Sequence, residues 1–540
     1  MTILKTYVYV VLMCLLGIGY ASIPLPDKKF KILGVFGHVG KSHFAVFEPL
    51  LEELALRGHD VTVLSHFPRT TKLKNYKDLS LRSNESQIAV DVVDLKIVKA
   101  HAASVLFELV TLYQWGLAGC EINLKHPNTQ KLIKSNEKFD VILTEVFNSD
   151  CFLGFVHKFQ APFLSLSSHQ ILPWVNPRIG NPDNPSYIST TFHGYSSHMT
   201  FYERLMNTIF LGLEKIMFYT MFTWSTDVIV REVFGPEVPS VVEIGKNMSA
   251  LLVNTHYSLH RALPQVPGTI EIGGIHIGTP KPLPADIKKF LDEGTEGVLL
   301  FSWGSMVKAS TLPQEKLNDI IKVISNIPRR VIWKWEADEL PGKPKNLMIK
   351  KWLPQADILG HPNVKCYLAH GGLLGLSEGV NAGVPLVLVP MYGDQFHNAA
   401  QAKSRGVAEI VEYENLNEKT LREALDKIFN DTRYLKNARL LAKAYKDRPA
   451  GPLDTAVWWT EYIARGDGVP FIRSPAVDLP WYQYHLVDVY VFLISAILVS
   501  IYVAIRFTKM AVSAAFGNSK AAKSKQSNDS SAANSRKKKN

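Results

Sequence analysis

The sequence predicts an α/β protein with two domains, each built around a doubly wound parallel sheet. The chain has 540 residues, of which 46% are hydrophobic, and a single core stops growing at about 250–300 residues. Short apolar runs alternate with amphipathic runs in both halves, which is the pattern of repeated β-α-β units. Between the halves, residues 268–284 are rich in glycine and proline, as expected of a linker.

The first half opens with one complete β-α-β unit. An apolar strand over residues 30–36 leads into a glycine turn, and a run with helical spacing and a second strand follow. Because Gly34, Gly37 and Gly40 are three apart, the turn lacks the G-x-G-x-x-G fingerprint, and no acid ends the second strand. A nicotinamide-dependent oxidoreductase is therefore disfavoured.

The same alternation resumes after the linker. We predict an N-terminal domain over residues 22–267 and a second parallel α/β domain over residues 285–485. Two apolar, aromatic-rich segments of the first domain, residues 100–120 and 199–224, are interrupted by charges and cannot span a bilayer. They suit a lipophilic pocket wall, a membrane-surface face or ordinary core packing.

Both ends of the chain carry targeting signals. Residues 1–21 place Lys5 before an apolar run and small residues, which indicates a cleaved signal peptide. Residues 486–505 contain one charge, Asp488, and are long enough for a transmembrane helix. The tail, residues 506–540, has nine basic residues against one acid, so it holds most of the formal net charge of +11. This tail predicts a cytosolic end by the positive-inside rule and leaves nucleic-acid binding without its main support.

These ends predict a type I single-pass protein of the endoplasmic reticulum membrane with both domains in the lumen. The terminal lysines, residues 537–539, resemble a dilysine retrieval signal. Glycosylation sequons begin at Asn84, Asn247 and Asn430. Despite the oxidising compartment, we expect no disulfide framework, because the four cysteines are few and scattered.

Residues 352–399, WLPQADILGHPNVKCYLAHGGLLGLSEGVNAGVPLVLVPMYGDQFHNA, resemble the signature of membrane-bound UDP-glycosyltransferases, with insect members the most similar. The resemblance extends to FSWGSM, IGGIHIGTPKPLP and RGHDVTVLS, and so covers nearly the whole chain. It implies the GT-B fold, in which two Rossmann-like domains face a cleft. It also implies that the C-terminal domain holds a UDP-sugar and the N-terminal domain holds the acceptor.

The resemblance assigns a donor site to the C-terminal domain. A histidine and glycines at a helix start would seat the diphosphate, because free backbone N–H groups there favour anions. These residues are His370, Gly371, Gly372 and Gly375, with Ser302, Gly304 and Ser305 lining the other side. Where many relatives have asparagine, this chain has Leu374, so backbone groups are expected to suffice.

The rest of the donor would be read by five side chains. Trp352 would stack on uracil and Gln355 would contact the nucleoside, both facing one way if their short segment is helical. Glu378 would accept from the ribose hydroxyls, and Asp394 and Gln395 would bind the sugar hydroxyls.

For the chemistry, His43 at the start of the first long helix is the expected base, since imidazole accepts protons near neutral pH. His38 is its local competitor. The carboxylate that orients His43 is either Glu145 or Asp150, and we favour Asp150. The chain contains no D-x-D sequence, so we expect no metal and no cofactor beyond the UDP-sugar.

The expected activity is inverting transfer of a hexose to a hydroxyl of a small lipophilic acceptor, as in detoxification. UDP-glucose is the favoured donor and UDP-glucuronate the next. The alternative is an inactive lumenal carrier that binds UDP-sugars or lipophiles. The acceptor's identity and a homo-oligomer both stay open.

Overall fold

The computed structural model describes residues 28–83, 89–96, 98 and 101–536. The predicted signal peptide, the sequon at Asn84 and the terminal lysines lie outside this part of the chain. Residues up to 474 form one compact unit and residues 475–540 form another.

The N-terminal lobe contains a seven-stranded parallel sheet with the order β3-β2-β1-β5-β6-β7-β8. The chain enters at β1 in the middle and winds outward in both directions, as β-α-β crossovers require. These strands are Lys31–Phe36 (β1), Asp60–Ser65 (β2), Tyr76–Ser80 (β3), Val141–Glu145 (β5), Phe163–Ser167 (β6), Ala250–Val253 (β7) and Thr269–Glu271 (β8).

Helices cover both faces of this sheet. The first, α1, begins after a glycine turn at Gly40, and its buried side chains recur at helical spacing. The helices are Lys41–Leu56 (α1), His101–Lys125 (α2), Pro127–Ile133 (α3), Gly154–Phe159 (α4), Asn176–Ile179 (α5), Phe201–Met217 (α6), Thr223–Phe234 (α7), Val241–Gly245 (α8) and Tyr257–His260 (α9), with one π-helical turn, Phe218–Phe222, between α6 and α7.

The C-terminal lobe repeats the architecture with a six-stranded parallel sheet of order β12-β11-β9-β13-β14-β15. Its strands are Val298–Ser302 (β9), Arg330–Lys334 (β11), Leu347–Lys350 (β12), Val364–Ala369 (β13), Leu386–Leu388 (β14) and Ala408–Ile410 (β15). Its helices are Ala285–Asp292 (α10), Gln314–Asn326 (α11), Gln355–Leu359 (α12), Leu373–Ala382 (α13), Gln395–Ser404 (α14), Glu418–Asn430 (α15), Thr432–Lys446 (α16) and Pro452–Arg465 (α17).

Each sheet is buried on both faces. Consecutive strand residues such as Ile142 and Leu143, or Leu299 and Leu300, join separate apolar clusters on opposite sides of their sheet. This packing explains why the strands read as continuous apolar runs, since parallel sheets are covered by helices on both faces. The predicted pair of doubly wound domains is confirmed.

The predicted domain boundaries differ from the structure at two places. Strand β8 falls inside the predicted linker yet pairs with β7, so the N-terminal sheet extends past residue 268. Helix α17 returns to the N-terminal lobe, where buried Glu461 accepts from Arg57 at 2.7 Å and lies 3.0 Å from His59 Nε2. Residues 452–465 therefore pack with the first lobe although they follow the second in sequence.

A short segment of the N-terminal lobe also crosses to the C-terminal lobe. Val93–Asp94 (β4) pairs in parallel with Val307–Lys308 (β10). The Asp91 N–H donates to the Ser305 carbonyl at 2.8 Å, and Leu95 is buried in the C-terminal core. This crossing segment ties the two lobes together beside the Ser302–Ser305 turn.

One disulfide joins Cys120 of α2 to Cys151, with a Cα–Cα distance of 5.9 Å. We expected no disulfide framework, and this bridge corrects that expectation to a single cross-link. Cys366 is free and buried. The two partners lie 31 residues apart on different elements, so their spacing carried no pairing signal.

The second unit contains a short helix, Trp481–Tyr484 (α18), and a long helix, Val487–Arg536 (α19). Its stretch Val487–Phe516 is long and apolar enough to cross a membrane. The predicted transmembrane segment, residues 486–505, falls almost wholly within that stretch.

The two aromatic-rich segments of the first lobe form helices with exposed apolar side chains. Phe107 of α2, Phe201 of α6 and Trp224 of α7 are 71%, 73% and 72% exposed. Ordinary core packing therefore does not describe these side chains, and a membrane-surface face or a pocket wall remains as their predicted role.

Candidate active site

The carboxyl ends of β1, β5 and β6 bring together a histidine, a glutamate and a serine. His43 is the third residue of α1, Glu145 is the last residue of β5, and Ser168 follows β6 directly. His43 Nδ1 lies 2.5 Å from Glu145 Oε1 and 2.9 Å from Ser168 Oγ, and Ser168 also donates to Glu145 at 3.4 Å. The arrangement fixes the imidazole ring and leaves its Nε2 atom for another partner.

Glu145, rather than the favoured Asp150, is therefore the carboxylate in contact with His43. Asp150 is buried and paired with Arg178 through two hydrogen bonds, one of 2.8 Å from Arg178 Nη1 to Asp150 Oδ1. Glu145 lies at the carboxyl end of β5, between the carboxyl ends of β1 and β6, whereas Asp150 lies in the loop that follows. The prediction that Asp150 is the carboxylate that contacts His43 is therefore wrong.

Ser168 was missed in the sequence. A signal was present, because SLSS ends an apolar strand beside the one that ends at Glu145. Polar residues at the carboxyl ends of adjacent parallel strands meet at one edge, which is where such folds bind ligands.

Burial sets the protonation of this group. It lowers the pKa of His43 and raises the pKa of Glu145. The His38 ring stacks on His43 with 4.1 Å between centroids, and burial followed by the charge of His43 lowers the pKa of His38. The neutral imidazole is the form that can accept a proton; burial weakens it as a base, and an ionised Glu145 at Nδ1 opposes this effect when the imidazolium forms.

His38, His43 and Glu145 also offer ligand atoms within 4.8 Å of one another, a spacing that could hold a divalent ion. Hydrogen bonds account for the same geometry. His38 Nδ1 accepts from the Gly40 N–H at 2.9 Å, and Glu145 contacts His43 Nδ1. That the activity requires no metal stays a prediction, and measuring the activity in the presence of a chelator can test it.

In the C-terminal lobe, a glycine turn leads from β13 into α13 around His370. Gly371 has φ +90°, and Gly372 precedes the first helical turn without any side-chain cap. A Cβ on Gly372 would lie 2.4 Å from His370 Nε2, and one on Gly304 would lie 2.7 Å from His370 Cε1. Both glycines are needed because the imidazole packs directly on the backbone of two turns.

His370 is half-buried, and its enclosed Nδ1 atom has no hydrogen-bond partner among the described residues. Burial, followed by the charge of Lys334, lowers the pKa of His370 to about 4. Uncapped N–H groups and an adjacent imidazole form a site suited to an anion.

Ser302 ends β9 and is buried, and its hydroxyl accepts from the Gly304 N–H at 3.4 Å. Sequence reasoning missed Lys334 near this turn, although it ends β11, the strand next to β9. Its Nζ atom lies 2.9 Å from both Asp91 and Glu336. Lys334 is thus a buried cation that faces two carboxylates, and its charge acts on His370.

The predicted nucleoside contacts are only partly on one helix. Helix α12 begins at Gln355, so Trp352 precedes it, and their common helical face is not found. Gln355 Nε2 donates to Glu378 Oε2 at 2.6 Å, and burial raises the pKa of Glu378 to about 7. Trp352 is 57% exposed, and Lys41 of the other lobe lies 4.8 Å from its ring centroid.

Close packing surrounds this helix start. A Cβ on Gly375 would lie 2.7 Å from Tyr367 Oη. The Leu374 carbonyl lies 3.3 Å from His276 Nε2. His276, inside the predicted linker, was not recognised as part of this site.

The predicted sugar-reading pair lies at the start of α14. The side-chain amide oxygen of Gln395, Oε1, accepts from the Met391 N–H at 2.9 Å. Burial raises the pKa of Asp394 to about 6. The side-chain oxygen of Gln395 is thus bound to the backbone, and the Asp394 carboxylate is a half-buried acceptor.

Asn398 connects this pair to the rest of the site. Its amide nitrogen donates to the Gly371 carbonyl and to Asp394, each at 2.9 Å. Its oxygen accepts from Gln170 of the N-terminal lobe, two residues after Ser168. This fully buried side chain joins the glycine turn, the acidic residue and the opposite lobe, and sequence reasoning missed it.

The two facing lobes, each built on a parallel sheet, indicate the structural class of the protein. Solved glycosyltransferases superpose on the chain, including VinC in complex with DTDP, with a TM-score of 0.55, 14% identity, and coverage of 81% of this chain and 99% of that one. A UDP-glucose: anthocyanidin 3-O-glucosyltransferase in complex with UDP gives a TM-score of 0.52 at 15% identity over 81% and 100%. These likenesses show the GT-B fold.

The chain belongs to the UDP-glycosyltransferases, because the family model "UDP-glucoronosyl and UDP-glucosyl transferase" matches residues 33–522. UDP-glycosyltransferase UGT5 from Dactylopius coccus is 41% identical, covering 88% of this chain and 91% of that protein. Human UDP-glucuronosyltransferase 1A8 is 30% identical over 85% and 87%. The chain is therefore an enzyme that transfers a sugar from a UDP-sugar.

Proposed function

We propose that this enzyme transfers a hexose, with inversion and without a metal, from UDP-glucose to a hydroxyl of a small lipophilic acceptor. UDP-glucuronate is the next donor. The observation that carries the proposal is the hydrogen-bonded group of His43, Glu145 and Ser168 on the lobe opposite the glycine turn at His370. Lys41, two residues before His43, contacts Trp352, and Gln170, two residues after Ser168, contacts Asn398.

In the proposed reaction, His43 Nε2 takes the proton from the acceptor hydroxyl. The oxygen attacks the anomeric carbon as the bond from that carbon to the diphosphate breaks, so the configuration inverts. Glu145 stabilises the imidazolium through Nδ1 and holds the ring in the required tautomer. The Nε2 proton can then pass to solvent or to the departing UDP.

The departing diphosphate would carry the negative charge that develops. Free N–H groups of α13 and the His370 imidazole would stabilise it, since donors fixed in advance cost no reorganisation during reaction. Ser302, Gly304 and Ser305 would line the opposite side. Trp352 would stack on uracil, and Glu378 would accept from the ribose, with Gln355 holding its carboxylate.

We further propose that both lobes lie in the lumen of the endoplasmic reticulum and the basic tail in the cytosol. The Cys120–Cys151 disulfide supports an oxidising compartment. Exposed apolar side chains on α6 and α7 and the aromatic rings beside His43, such as Phe147 at 4.5 Å between centroids, support a lipophilic acceptor.

Microsomes containing the full chain test this function. We would supply radiolabelled UDP-glucose or UDP-glucuronate with a panel of phenols and alcohols, and compare the wild type with His43→Ala. The proposal expects a glucoside from the wild type and at least a hundredfold lower kcat for His43→Ala at unchanged UDP affinity. Activity should survive EDTA. UDP binding without turnover by the wild type would instead indicate a carrier.

A further inference from the structure

The loop that leads into α14, which presents Asp394 and Gln395, receives a hydrogen-bonding side chain from the opposite lobe. Glu108 of α2 accepts a hydrogen bond through Oε2 from the Gly393 N–H at 2.9 Å. Gly393 directly precedes Asp394 and Gln395, the pair proposed to bind the sugar. Glu108 therefore reaches across the cleft to the backbone that presents these two side chains.

This contact makes the loop acidic from both lobes. Burial, followed by the charge of Asp394, raises the pKa of Tyr392, and Glu108 contributes in the same direction. In the part of the chain that the structure describes, no lysine or arginine forms an ion pair with Asp394. The Glu108 carboxylate thus lies against the backbone N–H of the residue before Asp394, next to the point where the sugar is expected.

We propose that Glu108 is a specificity-determining residue that favours an uncharged hexose donor over a hexuronate donor. The inference rests on the proposed function, because it takes Asp394 and Gln395 as the sugar site. A neutral hexose presents hydroxyl groups, which can donate to nearby carboxylates. A hexuronate presents a carboxylate of its own, and like charges in a partly buried cleft repel each other without much screening.

The selection acts through charge and can be separated from the structural role of the same contact. Glu108→Gln keeps the length of the side chain and a carbonyl oxygen that can accept from Gly393. It removes only the negative charge. Glu108→Lys reverses the charge, as a receptor for a carboxylated sugar would need.

The test uses the full chain in membranes, with 1-naphthol as the acceptor and UDP-glucose and UDP-glucuronate as alternative donors. For each variant, kcat/KM is measured for both donors, and the affinity for UDP alone is measured by competition. Glu121→Gln is the matched control, since Glu121 lies exposed on the same helix beside Lys125. Competition by the two UDP-sugars against UDP supplies a second readout that does not depend on the acceptor.

We expect Glu108→Gln to raise the preference for UDP-glucuronate over UDP-glucose about tenfold, and Glu108→Lys to raise it further. UDP affinity and the Glu121→Gln control should stay within twofold of the wild type. An unchanged donor ratio overturns the inference. An equal loss for both donors also overturns it, since that result assigns Glu108 to loop support only. Absence of UDP binding in the wild type would contradict the proposed function instead.

Discussion

Removing the carboxylate behind His43 should abolish most of the activity while leaving donor binding intact. In Glu145→Ala, His43 Nδ1 loses the partner at 2.5 Å and keeps only Ser168 Oγ at 2.9 Å. A hydrogen bond to a charged group contributes about 1.5–3 kcal/mol, and each 1.4 kcal/mol corresponds to a tenfold change in rate.

From these values we expect kcat to fall about 10- to 150-fold in Glu145→Ala, with KM for the UDP-sugar within threefold of the wild type. Donor contacts belong to the other lobe, so they should survive. Ser168→Ala alone should cost about tenfold. The double variant should lose more than either single variant, because no acceptor then remains on Nδ1.

Initial rates with radiolabelled donor, normalised to the amount of folded protein, measure these losses. Glu121→Ala is the control for removal of an acid from the same lobe. A Glu145→Ala enzyme with kcat within threefold of the wild type would refute the assignment. A loss of donor binding in the same variant would show that Glu145 acts on the structure of the cleft.

Three further predictions concern buried polar groups. Asp150→Ala should lower the free energy of unfolding by about 3–5 kcal/mol, since it leaves the buried Arg178 charge unpaired. Thermal unfolding followed by tryptophan fluorescence measures this loss, and a melting temperature equal to that of the wild type would contradict it. Burial raises the pKa of Glu214 to about 8 from its ordinary 4.5, so the folded state retains a proton that the unfolded state releases, and stability should fall as pH rises from about 4.5 to 8. Glu214→Gln should flatten that slope and raise the melting temperature at pH 7.5 by several degrees, whereas exposed Glu232→Gln should change neither. Asn398→Ala should weaken UDP binding and lower kcat together, each about tenfold or more, because three hydrogen bonds are lost; unchanged kinetics would exclude its role in joining the lobes.

The general architecture could be predicted because each β-α-β unit carries its own pattern. Apolar strands, glycine turns and amphipathic helices are local features. The local sequence also places His43 at the start of a helix and the Gly371–Gly372 turn directly after a strand. The family signature added the GT-B fold, whereas the donor residues that it implies stay a prediction.

Only the three-dimensional structure could show whether Glu145 or Asp150 contacts His43. The two acids are five residues apart, Glu145 at the end of β5 and Asp150 in the loop after it, so the sequence allows either to lie near His43. The deciding observation is that Arg178, 28 residues further along the chain, forms a salt bridge with Asp150. A buried arginine needs a partner, and long-range pairing of this kind leaves no local trace in the sequence.

Other long-range features escaped prediction for the same reason. Strand β8 has three residues in a glycine-rich and proline-rich stretch, which reads as a linker. Helix α17 returns to the first lobe through Glu461, and Asn398 reaches Gln170 across 228 positions. Such contacts depend on how the two lobes close on each other, which periodicity does not encode.

A structure of the full chain bound to UDP tests the central claim most directly. We expect the diphosphate against the N–H groups of Leu373 and Leu374 and beside His370, with uracil on Trp352 and the ribose at Glu378. His43 Nε2 should face the space next to the terminal phosphate. Density for UDP away from the Gly371–Gly372 turn, or a His43 ring turned away from the cleft, would contradict the account.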